Sequence, residues 1–235
     1  MLKFYSPKMK NILSGAALLF LQMISAQNIY LNKIEKTKDS SDKFLYTLPV
    51  AKMSQAEYLG EIEVQGFSSD DAAVFSSVYK KAKEIGGNAI AYKPFESIDD
   101  SVKPLDPAHY KLGVYYLAKD DFPNNSGNLF LFAGSSKDQK IRVDEKDVVL
   151  QPRSFLKIEM NEGATYTIST KKLLGSTIRV RKNSSGDGQY YMISAGKIGG
   201  ANNNDGTLHI KSGDITGLEK SFGEFLKLIY KPLVN

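Results

Sequence analysis

From residue 128 onward the chain is punctuated about every eight to twelve residues, and this rhythm limits what it can fold into more than any other feature. Short apolar or alternating runs occupy 128–133, 139–143, 147–150, 154–160, 165–170, 176–181, 189–194 and 207–211. Their connectors are built from turn formers: Asn161-Glu162-Gly163, Asn183 to Gly188 and Gly199 to Gly206. Several short strands at this spacing predict an antiparallel β-sandwich or barrel over residues 124–214.

The preceding stretch, 58–120, has a different texture. Tyr58 to Val64 alternates, with Ile62 and Val64 on one face and Glu61 and Glu63 on the other. Ser68-Ser69-Asp70-Asp71 offers a helix start, since its side-chain oxygens can accept the unpaired amide hydrogens of a first turn. Phe75, Val78, Tyr79, Ala82 and Ile85 then recur at helical spacing until Gly86-Gly87. Asn88 to Tyr92 and Tyr110 to Leu117 read as further strands around a loop from Glu96 to Pro107, giving a β-α-β-β unit. Residues 27–57 form an arm with strand candidates Ile29-Tyr30-Leu31 and Phe44 to Leu48. The whole is an α+β chain, a β-α-β-β domain followed by a sandwich.

The run "YLGEIEVQG" and the helix ending "KKAKEIGGNAIAY" resemble the small β-α-β-β domain of bacterial envelope proteins, found in the family once labelled heavy-metal binding and in the Rcs-type sensor lipoprotein. The resemblance spans roughly 57–118 and implies that fold and an envelope setting. Neither disulfide sensing nor metal binding carries over, because the motif here holds no cysteine or histidine. "NLFLFAG", "KIRVDEKDVVLQPRSFLKIEMNEGATYTIST" and "GQYYMIS" are similar in order to the DUF2846-type β-sandwich, without its usual Pro and His around Asn161 to Ile168.

Lys3, Lys8 and Lys10 precede an uncharged run from Ile12 to Ile24 that ends at Ser25-Ala26-Gln27. A positive flank, a short apolar core and a small residue before the cut are the parts of a secretory signal peptide. Crossing a bilayer takes about 20 apolar residues, more than this run supplies. Cleavage is expected after Ala26, leaving a periplasmic or secreted protein, and the ending "ISAQ" resembles leaders of exported Bacteroidota proteins. Losing three leader lysines and no acid takes the formal charge from +5 to +2. With no dense Lys/Arg cluster, no nucleic-acid partner is expected. The chain has no cysteine, which removes disulfides, thiolate zinc sites, a cysteine nucleophile and bacterial lipidation together.

Catalytic patterns are sparse. His109 and His209 have no partner at a triad or zinc spacing. The loops 183–188 and 201–206 carry Asx side chains before a glycine as calcium loops do, but Ala201 stands where the second loop needs its first ligand, and Ser194 and Ser212 stand where a closing glutamate belongs. Ser77-x-x-Lys80, Ser126-x-Asn128 and Lys211-Ser212-Gly213 follow the order of penicillin-binding enzymes, yet Ser77 falls mid-helix. The acid pairs Asp70-Asp71, Asp99-Asp100 and Asp120-Asp121 read as solvated. No catalytic, metal or cofactor residue is assigned.

Tyrosine is the one enrichment with a functional reading. In Tyr115-Tyr116 and Tyr190-Tyr191 alternation should turn one ring of each pair outward, toward a protein or glycan partner of the envelope. The tail, 215–235, carries Ile215, Leu218, Phe222, Phe225, Leu226 and Ile229 on one helical stripe. It is expected to pack on the body, with membrane-surface contact as the alternative. The reading is a non-catalytic binding or structural module of the cell envelope. Alternatives are a hydrolase of envelope polymers and an immunity or inhibitor protein.

Overall fold

A computed structural model describes residues 27–95, 104–122, 127–171, 175–184, 186–194, 211–212 and 214–233. Strand outweighs helix, 44% against 19%, which makes this a β-rich α+β fold. The expected leader, His209, Asp99-Asp100, Ser126 and the loop 201–206 lie outside the described residues.

The N-terminal sheet has the order β1-β3-β5-β4-β2, from Asn28–Ile34 (β1), Tyr46–Thr47 (β2), Glu57–Gln65 (β3), Ala89–Lys93 (β4) and His109–Tyr116 (β5). Helix α1, Asp71–Glu84, joins β3 to β4 and starts where Asp70 accepts the Ala73 amide at 3.0 Å. Its Val74, Phe75, Val78 and Ala82 pack against Ile62, Val64, Ile90, Leu112 and Val114 of the sheet. The strand expected at Phe44 to Leu48 shrinks to Tyr46–Thr47, because only this pair meets β4.

Two further sheets stack beyond. The middle sheet has the order β13-β14-β12-β6-β9-β15, from Asn128–Ala133 (β6), Ser154–Glu159 (β9), Gln189–Ile193 (β12), Lys211–Ser212 (β13), Ile215–Gly217 (β14) and Lys231–Pro232 (β15). The outer sheet has the order β11-β10-β7-β8, from Gln139–Val143 (β7), Lys146–Leu150 (β8), Thr165–Thr170 (β10) and Thr177–Arg181 (β11). The sandwich expected to be antiparallel is mixed, since β12 runs parallel to β6 and β15 parallel to β9. A parallel pair needs a long crossover, and the strands β7 to β11 between β6 and β12 supply it.

Helix α2, Lys220–Ile229, is shorter than the apolar stripe suggested, because Ile215–Gly217 pairs with β12 instead. It lies with α1 between the N-terminal and middle sheets, bringing Phe222 and Phe225 within 5.2 and 5.5 Å of the Phe75 ring. β6 is consequently buried on both sides, which explains its unbroken apolar sequence. Phe130 and Phe132 face the helices, while Leu129, Leu131 and Ala133 face Ile141, Ile168 and Val180 of the outer sheet.

Asp71 is not solvated, as an acid at a helix start was expected to be, but buried at the junction of these layers. It accepts hydrogen bonds from Arg153 at 2.6 Å and the Tyr230 hydroxyl at 2.7 Å. Burial pushes its carboxyl upward, against the guanidinium and the phenol. Arg153 adopts φ +53°, in a turn closed by the Ser154 amide on Gln151, and its guanidinium also donates to the Ser68 carbonyl at 2.7 Å.

Candidate functional site

The side of the N-terminal sheet facing away from α1 carries the densest polar array among the described residues. Alternation puts Glu61 and Glu63 of β3 on it, and the register sets them against Gly113 and Lys111 of β5 and Lys33 and Tyr30 of β1. Both glutamates are buried, Glu61 to 4% and Glu63 to 8% exposure, although among the described residues no element covers them as α1 covers the other face. Long neighbouring side chains close over them instead.

Glu61 Oε2 accepts from Lys93 Nζ at 2.6 Å, and Oε1 accepts from Asn32 at 2.7 Å and Lys111 at 3.1 Å. Burial alone would raise this carboxyl, but the three donors outweigh it and hold it at about 2. Glu63 Oε1 lies 2.8 Å from His109 Nε2 and accepts from Gln65 at 2.8 Å. The bond with His109, and then that from Gln65, keeps it below the usual carboxylate range against the upward push of burial.

Aromatic rings frame the array. The Tyr115 ring lies across Gly113, where any β-carbon would come within 2.7 Å of the ring, so glycine is what lets it fold down. Tyr115 meets Tyr58 edge to face at 5.3 Å, and Lys93 sits 5.2 Å from the Tyr58 ring and 3.3 Å from its hydroxyl. At the other end Phe95 packs 4.5 Å from His109 and 5.0 Å from the Lys111 ammonium. The remainder of this face is apolar and is covered by the 50–55 turn, whose Met53 packs against Leu48, Ala89, Ala91 and Leu117.

Of the four tyrosines expected to form a surface, only Tyr115 belongs to this face. Tyr116 points to the opposite side, packed on the main core beneath Lys38 at 4.1 Å. Tyr190 is 3% exposed, stacked 5.2 Å from Phe130, with its hydroxyl donating to Glu224 at 2.5 Å. Tyr191 packs on the sandwich core. Alternation does send the last two to opposite sides, Tyr190 buried among the core rings and Tyr191 half-buried against the sandwich core. Tyr58, Glu61, Glu63, Lys93 and Lys111 escaped the sequence reading because their convergence depends on a strand order that spacing does not reveal.

Chemically the array holds fixed cationic and amide donors beside rings. Glycoside hydrolysis needs one carboxyl raised to act as acid, and here both are lowered. No group of three or more His, Cys, Asp or Glu side chains able to hold a metal occurs among the described residues. Ser77, mid-helix in α1, donates its hydroxyl to the Ala73 carbonyl at 3.1 Å. Comparisons with protein-family models, with curated proteins and with solved structures find no match for this chain.

Proposed function

We propose that this protein is an exported, non-catalytic binding module of the bacterial cell envelope, holding a polar protein or glycan partner on the open side of its N-terminal sheet. The observation that carries the reading is Glu61: a buried, ionised carboxylate that fixes two lysines and an asparagine beside a tyrosine pair. Preorganised donors next to flat rings lose little freedom on binding, which suits recognition. The lysine-flanked leader and the cysteine-free composition support the envelope setting. The resemblance of 57–118 to small β-α-β-β envelope domains adds to it.

The test joins export to recognition. The chain is produced in a bacterial host and its N-terminus sequenced, with Gln27 expected as the first residue. A photo-reactive side chain at exposed Lys33 on this face should then give discrete adducts in intact cells, while the same group at exposed Ser76 on α1 gives none. Cytosolic material that keeps its leader, or identical adducts from both positions, would overturn the reading.

A further inference from the structure

The outer sheet turns one side onto the sandwich core, and its register dictates what the other side carries. Ile141, Ile168 and Val180 point inward, so Lys140 and Arg142 of β7 and Arg179 and Arg181 of β11 point to solvent. Ser169 of β10 pairs with both Arg142 and Thr177, which places the two cationic strands on either side of a strand whose outward residues are Thr165, Thr167 and Ser169. Lys171 extends the row beyond β10.

The chain has only four arginines, Arg142, Arg153, Arg179 and Arg181, and three of them stand on this one face. Asp147 is shared between Arg142, at 2.8 Å, and Lys171. Asp144 at the hairpin tip is turned onto the Thr167 amide at 2.8 Å. Asp147 and the tip residues Asp144 and Glu145, three carboxylates, therefore stand against five cations, and Arg179 has no carboxylate partner among the described residues. The arginine pair on β11 is spaced about 7 Å along the strand, and the cations of β7 stand about 10 Å across.

We infer that this face docks an acidic polysaccharide. Guanidinium forks match carboxylate and sulfate oxygens two at a time, which a lysine ammonium cannot do. Between the forks lie hydroxyls suited to sugar hydroxyls, one of them already held, since Arg181 Nε donates to Thr165 at 2.6 Å. A bilayer is the poorer occupant, because interfacial docking sinks apolar side chains among the lipids, and among the described residues Val149 is the one large apolar residue exposed here. A single nucleic-acid strand would call for stacking rings, and the face presents none among its described residues. This surface is at the opposite end of the layers from the open side of the N-terminal sheet, so either site can fail without the other.

The full chain is run in native gels cast with polygalacturonate or with neutral dextran. Retardation is expected only with polygalacturonate, weakening steeply with salt as bound counterions are released. Arg179→Gln with Arg181→Gln should lower the affinity at least ten-fold and flatten the salt dependence, while circular dichroism and Tm stay as in the unaltered protein. Arg142→Gln, across the sheet, should weaken binding several-fold and serves if the double variant misfolds. Lys80→Gln, on the exposed side of α1, should bind as the parent does. Absence of retardation, equal retardation of the arginine variants, or capture by phosphatidylglycerol vesicles without retardation by polygalacturonate would each overturn the inference.

Discussion

Glu61 organises the open face of the N-terminal sheet through a single negative charge shared by two ammonium groups. Its folded carboxyl titrates at about 2, below the ordinary 4.5, so the unfolded chain binds the proton more readily. The stabilisation is accordingly complete above about pH 4.5 and drains away as pH falls toward 2, amounting to about 3 kcal/mol. Glu61→Gln should lose about that much at pH 7, because Lys93 and Lys111 keep their charges without a counter-ion. Denaturant unfolding from pH 7 to pH 2.5 checks it: the parent's stability should fall toward that of the variant as acid is added. Parallel pH curves would refute this account. Alternation alone placed Glu61 and Glu63 on the correct side of β3. It could not reveal their burial, since the covering side chains come from strands brought alongside only by the sheet order β1-β3-β5-β4.

At the scale of elements, the strands of the two sandwich sheets were the most legible part of the chain. Asn128–Ala133, Gln139–Val143 and Thr165–Thr170 match their expected ends, because turn formers fix those ends locally. Helix α2 was read less well. By propensity alone Gly223 is a weak point in a helix, since glycine costs about 1 kcal/mol against alanine in a helix interior. Here it is a contact requirement: a β-carbon at Gly223 would lie 2.3 Å from Tyr190 Cγ and 2.7 Å from its Cβ, near the root of the side chain where the ring cannot swing aside. That ring is also tied to Glu224, itself 1% exposed and bonded to Lys227 at 2.8 Å. Gly223→Ala should therefore destabilise by about 2 kcal/mol, as overpacked cores do, in spite of the propensity gain. Urea unfolding of the variant gives the sign directly, and a gain in stability would show that α2 stands farther from β12 than described.

The change of texture near residue 124 suggested two units with cores of their own, and the strands after it do share one core with the outer sheet. The larger core does not respect that change. It runs from Ile62 and Leu112 through α1 and α2 to Phe130, Phe132, Phe155 and Met192 of the middle sheet. Sequence texture registers local periodicity, whereas this layer is assembled from one face each of elements distant along the chain, which no single window contains. Phe225, 1% exposed at its centre, is the residue through which the two halves should unfold together. Phe225→Ala is expected to cost about 3–5 kcal/mol, as deletion of a buried ring does. Since the chain lacks tryptophan, tyrosine fluorescence and far-UV circular dichroism are the two probes to follow in urea. In the parent their transitions should coincide, and in the variant both should move to lower urea by the same amount. A variant in which one probe shifts while the other stays would mean that the sandwich stands without the helical layer, and that α2 is an appendage to the core rather than its middle.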